Sequence, residues 1–149
     1  MVADLTMQHV APLVEALRSL YYIDADMISE AIRRKSCFNV VYLERSFKVD
    51  VFVQRGRRYD RAAFERSTEL PIDEGDPDSR FLVASAEDIV LSKLEWFRLG
   101  DEVSEQQWRD VIGVLKVQQD ALDRPYLEKW AAELGVADLL HKALSEAKT

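Results

Sequence analysis

Apolar and polar residues alternate along residues 47–53, and both this segment and residues 37–43 are rich in β-branched and aromatic residues. Because successive side chains of a strand point to opposite faces, this period of two predicts a β-strand at residues 47–53, and the composition of residues 37–43 predicts a second one. The three residues between them are enough to close a hairpin. In the second strand Lys48, Asp50 and Phe52 occupy one face and four apolar residues occupy the other. We therefore expect Asp50 to lie off the apolar face of the hairpin.

Outside the hairpin the apolar residues recur mostly every three or four positions, which is the period of an amphipathic helix. We expect helices at residues 6–20, 25–34, 60–66, 86–99, 104–118, 123–134 and 137–147, and further strands at residues 69–72 and 80–84. An acidic turn at residues 73–78 separates those two strands. The sequence thus predicts one α+β domain over residues 1–149. A small, mostly antiparallel sheet with flanking helices occupies residues 1–84, and a helical part follows in residues 85–149.

The chain contains one cysteine, Cys37, which excludes an internal disulfide and is typical of a reducing compartment. We expect its side chain to be buried as a small hydrophobic group. No apolar run approaches the ~20 residues that would cross a bilayer, and the N-terminus lacks the pattern of a signal peptide. The sequence therefore predicts a cytoplasmic protein that does not contact membranes.

The charge of the chain is unevenly distributed, although its formal total is −7. Residues 33–66 carry ten Lys and Arg side chains and four Asp and Glu side chains, a net +6, which leaves −13 elsewhere. A local excess of this kind can attract anions to an otherwise acidic protein. Nucleotide or RNA phosphates are the partners that we expect there, and a charged hairpin that is simply solvated is the alternative.

Three segments together carry a resemblance to a known family. They are Ala-Ser-Ala-Glu-Asp-Ile-Val-Leu-Ser-Lys-Leu at residues 84–94, Gln-Trp-Arg-Asp-Val at residues 107–111, and Phe-Lys-Val-Asp-Val-Phe-Val at residues 47–53. In this order and spacing the chain resembles the nucleotidyltransferase-like proteins linked to bacterial abortive-infection and toxin–antitoxin systems. The resemblance extends from about Val10 to the end. It implies an incomplete nucleotidyltransferase-like fold, with Asp50 at the place of the third metal-binding carboxylate.

Two motifs on which catalysis depends in that family, a Gly-Ser loop and a following strand with Asp-x-Asp, do not occur ahead of Val10. Nucleotidyl transfer requires several oxygen ligands that hold Mg²⁺ between the phosphates and the attacking group. Asp50 alone cannot build that site, so we expect no metal and no cofactor. The resemblance also leads us to expect that Met1 is an internal start of a longer ancestral frame and that the family's N-terminal part is missing.

Lys93, Asp110 and Lys48 are the candidate nucleotide- or phosphate-binding residues, as the resemblance implies for Lys93. No acid lies three or four residues from Lys93, and no base lies at those spacings from Asp110. Lys93 and Asp110 therefore either form an ion pair between neighbouring helices or belong to a retained phosphate or metal site. We expect Ser85 to cap a helix, and we expect another element to approach Gly113 closely.

Two functions remain open from the sequence, beside a decayed gene product or an unrelated fold. The first is a non-catalytic binding or interaction module, a remnant of the nucleotidyltransferase fold. The second is an active nucleotidyltransferase that uses Asp50 and Mg²⁺ with acids from a longer reading frame or a partner chain. If a strand that normally pairs beside the hairpin is missing, its absence exposes a sheet edge, and a symmetric homodimer is the simplest way to cover that edge.

Overall fold

A computed structural model describes residues 1–71 and 80–148 of the chain, and these residues form an α+β fold. The described strands are β1 (Val2–Ala3), β2 (Tyr21–Tyr22), β3 (Cys37–Tyr42), β4 (Phe47–Val53), β5 (Thr68–Pro71) and β6 (Arg80–Val83). The described α-helices are α1 (Val10–Leu17), α2 (Ala25–Arg34), α3 (Arg58–Arg66), α4 (Ala86–Leu99), α5 (Glu105–Gln118), α6 (Arg124–Leu134) and α7 (Ala137–Ala147). The acidic turn predicted at residues 73–78 lies outside the described residues.

The chain divides into two compact units, Met1–Asp60 and Arg61–Thr149. The first unit contains a four-stranded sheet in the order β1-β4-β3-β2. The predicted hairpin is confirmed, because β3 and β4 pair antiparallel with Val51 opposite Phe38 and Val49 opposite Val40. The strand β1 is parallel to β4, which makes the sheet mixed.

One face of this sheet packs against α1 and α2. The core of the first unit consists of Val10, Ile28, Ala31, Ile32, Phe38, Val40, Val51 and Val53. The sheet contributes every second residue to this core, as the alternating pattern predicts. Asp24 caps α2, since its carboxylate accepts a hydrogen bond of 2.8 Å from the N–H of Met27.

The strands β1 and β2 were not predicted from the sequence. Each has only two residues, which is too short for a period of two to show. The N–H of Phe52 donates to the carbonyl oxygen of Met1 at 2.8 Å, and the N–H of Gln54 donates to that of Ala3 at 2.9 Å. The strand β1 therefore lies along the C-terminal part of β4 and covers that part of its edge.

The second unit contains the two-stranded sheet of β5 and β6 and the helices α4 to α7. Its core is formed by apolar residues from all four helices, including the fully buried Val90, Leu91, Leu94, Val111, Leu127 and Leu140. Ser85 caps α4, as expected, because its hydroxyl oxygen accepts a hydrogen bond from the N–H of Asp88 at 3.1 Å. Within residues 1–71 and 80–148, none of the helices combines the length and the apolar character that crossing a membrane demands.

Candidate functional site

The carboxylate of Asp50 lies on the solvent-exposed side of β4, as predicted from the alternating pattern. The ammonium nitrogen of Lys48 is 3.3 Å from the Asp50 carboxylate. Asn39 stands opposite Asp50 on β3, and the carbonyl oxygen of Asp50 accepts a hydrogen bond of 2.8 Å from the N-terminal amine of Met1. Lys48 and Asp50 are thus brought together as an exposed ion pair.

A magnesium site requires several oxygen ligands around one point. Among the described residues, no group of three or more His, Cys, Asp and Glu side chains is placed to hold a metal ion. The chemistry of nucleotidyl transfer requires further acids beside Asp50. The neighbour that the structure places beside its carboxylate is instead Lys48.

Lys93 and Asp110 meet between α4 and α5. The ammonium nitrogen of Lys93 is 2.7 Å from the carboxylate of Asp110 and 3.4 Å from the amide oxygen of Gln107. Both side chains keep partial contact with solvent, since 29% of the Lys93 side chain and 43% of the Asp110 side chain are exposed. Lys93 and Asp110 thus form an ion pair between neighbouring helices, which is one of the two arrangements expected from the sequence. The pair lies near the surface.

At least five of the ten bases in residues 33–66 form ion pairs with acids of the described chain. Arg33 and Arg34 pair with Glu30, and Lys48 pairs with Asp50. The other two pairs are Arg57 with Asp60 at 2.9 Å and Arg66 with Glu87 at 3.2 Å. Much of the positive charge in this stretch is therefore compensated locally.

Three bases, Lys35, Arg55 and Arg58, belong to the end of the sheet where β4 leads into α3. The side-chain Nε of Arg55 donates a hydrogen bond of 3.4 Å to the carbonyl oxygen of Lys35, so the end of α2 lies beside the segment after β4. Lys35 and Arg58 are both exposed. We call Lys35, Arg55 and Arg58 the basic end of the first unit. Their proximity is a property of the folded chain, because Lys35 and Arg55 are separated by 20 residues in the sequence.

The second unit contains a buried polar network that the sequence did not predict. Its centre is the pair of adjacent acids Glu87 and Asp88, which are only 6% and 2% exposed. The guanidinium group of Arg66 is 3.2 Å from the carboxylate of Glu87 and lies over the ring of Tyr126 at 4.1 Å. The hydroxyl of Tyr126 donates to the carboxylate of Asp88 at 2.8 Å, and the hydroxyl of Ser85 donates to it at 2.7 Å. The network joins α3, the beginning of α4 and α6.

This environment shifts the pKa values of two members of the network, Glu87 and Tyr126. Burial acts to raise the pKa of Glu87, but the hydrogen bonds from the N–H of Asp123 and from Glu87's own N–H, together with the charge of Arg66, outweigh it. The pKa of Glu87 therefore lies below its ordinary value. Burial and the hydrogen bond to Asp88 raise the pKa of the Tyr126 hydroxyl. Glu87 is thus held as a carboxylate and Tyr126 as a neutral donor.

The thiol of Cys37 is exposed, so the prediction that it is buried was wrong. The physical reason is the alternation of side chains along β3, in which Phe38 and Val40 point into the core and Cys37, next to Phe38, points to the other face. Cys37 stands opposite Phe52 in that register.

The helical part of the chain therefore holds a buried ionic network and a near-surface ion pair, and the sheet part holds Asp50 beside Lys48 and a basic end. When the chain is compared with known proteins, no family model, no curated protein and no solved structure matches it.

Proposed function

We propose that the chain is a non-catalytic binding module with a nucleotidyltransferase-like fold, and that it binds RNA phosphates through the basic end of its first unit. The observation that carries the proposal is the surroundings of Asp50. This carboxylate lies 3.3 Å from the ammonium of Lys48 and belongs to no group of acids among the described residues that is placed to hold a metal. An ion pair of this kind compensates the charge that would otherwise attract Mg²⁺.

The basic end supports the choice of an anionic partner. Exposed lysine and arginine side chains attract phosphates at long range and bind them by charge-assisted hydrogen bonds. Lys35 and Arg58 are exposed, and Arg55 is held beside Lys35 by its hydrogen bond to the carbonyl oxygen. Arg55 and Lys35 are thus neighbours in the fold and Arg58 follows three residues after Arg55, and several cations near one another suit a chain of phosphates better than a single charge.

A homodimer through the edge of β4 belongs to the same proposal. The N–H groups of Phe52 and Gln54 point to the edge on which β1 lies, so alternation along the strand directs the N–H groups of Lys48 and Asp50 to that edge as well. A second copy can pair with this remaining part of β4.

We also propose a cytoplasmic location, which the single exposed thiol of Cys37 supports because such a thiol stays reduced there.

The test measures the binding of a fluorescent single-stranded RNA by anisotropy at several salt concentrations. We expect binding that weakens as salt is raised, because counterions are released from the phosphates. The double variant Lys35→Glu with Arg58→Glu should weaken binding at least about 10-fold. Arg124→Glu is the matched control, since Arg124 is an exposed arginine outside the basic stretch and its variant should bind as the unchanged protein does. Equal binding by all variants would contradict the proposal.

The alternative function, an active Mg²⁺-dependent nucleotidyltransferase, makes a different prediction. It requires nucleotide binding that depends on Mg²⁺ and that is lost in both Lys93→Ala and Asp50→Asn. Calorimetric titration with a nucleoside triphosphate, with and without Mg²⁺, separates the two functions. Lys116→Ala serves as a control for Lys93→Ala, because Lys116 is an exposed lysine of α5 outside the candidate site. Binding without any dependence on Mg²⁺ or on Asp50 favours the non-catalytic module.

A further inference from the structure

One face of the four-stranded sheet points away from the core of the first unit. The helices α1 and α2 pack against the face on which Phe38, Val40 and Val51 lie. Because side chains alternate along each strand, the residues next to these form the other face, which we call the open face. Its members keep contact with solvent. They are Val2 of β1, Tyr22 of β2, Cys37, Asn39 and Val41 of β3, and Lys48, Asp50 and Phe52 of β4.

Two aromatic rings lie on the open face. Tyr22 is 58% exposed and lies opposite Val41, which in turn lies opposite Lys48 near the start of β4. Phe52 is half-buried and lies near the end of β4, opposite the exposed Val2. Lys48 and Phe52 are four residues apart, so the two rings lie in rows about 13 Å apart along the strand. A ring on a sheet surface offers a stacking partner to an unpaired base, and this separation suits a segment of about three nucleotides.

The row between the two rings is polar. Asn39 and Asp50 lie opposite each other there. The amide of Asn39 donates and accepts hydrogen bonds and the carboxylate of Asp50 accepts them, so both can bind the edges of unpaired bases. The carboxylate repels phosphates, although the ammonium of Lys48 at 3.3 Å compensates part of its charge. The middle of the open face therefore suits bases better than it suits phosphates.

The open face continues into the basic end. The N–H of Val53 donates to the carbonyl oxygen of Ser36 at 2.9 Å, so the segments around β3 and β4 stay together at this end of the sheet. Directly beyond it, the Nε of Arg55 donates to the carbonyl oxygen of Lys35. Phe52 precedes Arg55 by three residues. An RNA chain whose phosphates bind the basic end thus has its next nucleotides near Phe52.

We propose that the open face binds the unpaired bases of single-stranded RNA, with one base stacked on Tyr22 and another on Phe52. The basic end holds phosphates of the same strand, so this inference rests on the proposed function and names its ligand more closely. In a duplex the bases are paired and stacked on one another, which leaves only phosphates and sugars for the protein to bind.

The proposal is compatible with a homodimer through the edge of β4. Pairing of strands uses N–H and C=O groups that lie in the plane of the sheet. The side chains of the open face stand roughly perpendicular to that plane. A second copy at the edge therefore leaves the open face accessible to RNA.

The first experiment compares a fluorescent single-stranded RNA with the duplex of the same sequence, by anisotropy on the full chain. Tyr22→Ala should weaken the binding of the single strand about 10-fold, because one base loses its stacking partner, and should leave the binding of the duplex unchanged. The salt dependence should also stay unchanged, because it reports contacts with phosphates. Weakening of both RNAs by the same factor would overturn the proposal.

Two further variants serve as controls. Tyr22→Phe keeps the ring and should bind the single strand as the unchanged protein does. Phe47→Ala removes an aromatic side chain of the same sheet that is 64% exposed and lies on the other face, so it should also bind normally. Circular dichroism checks that all variants are folded. Equal weakening by Phe47→Ala and Tyr22→Ala would contradict a specific role of the open face.

Photochemical cross-linking locates the bases on the unchanged protein. Single-stranded RNA that carries 4-thiouridine is irradiated in the complex, and mass spectrometry identifies the modified residues. We expect cross-links at Tyr22, Cys37 or Phe52, which border the path of the bases. Cross-links that fall only outside the open face would show that the bases bind elsewhere.

The failure of this proposal can be told from the failure of the proposed function. If Lys35→Glu with Arg58→Glu weakens the binding of both RNAs while Tyr22→Ala changes neither, the open face does not bind bases and the basic end still binds phosphates. If the unchanged protein binds neither RNA, both proposals are wrong.

Discussion

The ammonium of Lys93 lies 2.7 Å from the carboxylate of Asp110, and the two residues come from different helices. Neither has an oppositely charged residue one helical turn away in the sequence, so the contact exists only because α4 and α5 pack together. Its energetic value is limited by solvent, since both side chains are partly exposed. Lys93→Ala and Asp110→Ala should each lower the free energy of unfolding by about 1 kcal/mol or less.

A double-mutant cycle measures this pair directly. Urea unfolding of both single variants and of the double variant should give a coupling energy of about 0.5–1 kcal/mol. The coupling should fall as salt is added, because solvent-exposed charges are screened. A coupling energy of zero would show that the two charges do not stabilise each other in solution.

Arg66 should contribute far more to stability than a surface arginine. It is the cation closest to the buried carboxylates of Glu87 and Asp88, at 3.2 Å and 4.0 Å. Arg66→Met removes the guanidinium group beside these buried acids, and we expect a loss of about 3 kcal/mol in the free energy of unfolding. Arg61→Met is the control, because Arg61 is an exposed arginine of the same helix, and its variant should stay within about 0.5 kcal/mol. Similar losses in both variants would contradict a special role of the network.

The lowered pKa of Glu87 predicts a stability that depends on acid pH. A carboxyl whose pKa is lower in the folded state than in the unfolded state stabilises the fold while it is ionised in both states. That contribution is fully present above the ordinary glutamate value of 4.5 and is lost as the pH falls through the folded pKa. Thermal unfolding between pH 6 and pH 3 should therefore show a decrease in midpoint that is smaller in Glu87→Gln. An unchanged pH profile in the variant would assign the acid sensitivity to other carboxyls, such as Asp60, whose pKa is also lowered.

Gly113→Ala should stabilise the fold. The expectation that another element approaches Gly113 closely was wrong for the described residues, because an added methyl group meets no atom within 4 Å there. Since alanine also favours the helix, the free energy of unfolding should rise by about 0.5–1 kcal/mol. Urea unfolding measures the change, and a variant that is less stable than the unchanged protein would contradict the open space above Gly113.

The periodicity of the sequence was sufficient to predict the long elements. The hairpin of β3 and β4, the helix α2 with its cap at Asp24, and the four helices after Ser85 all follow from local patterns, because each is long enough to show its own period and its own capping residue. The position of Asp50 on the exposed side of β4 follows from the same alternation.

Other features had no local signal. The strands β1 and β2 are two residues long and are defined only by the strands that they pair with. The burial of Cys37 was predicted incorrectly from its apolar surroundings, although the inward position of Phe38 implies that its neighbours face the other way.

The sequence by itself determined the α+β class, the order of the main elements and the concentration of bases in residues 33–66. The tertiary structure decided which charges are compensated and which remain exposed. It brought Arg66, Glu87 and Tyr126 into one buried network and set Lys93 against Asp110. Such contacts join residues far apart in the chain, and their geometry depends on how whole helices pack, which no local period encodes.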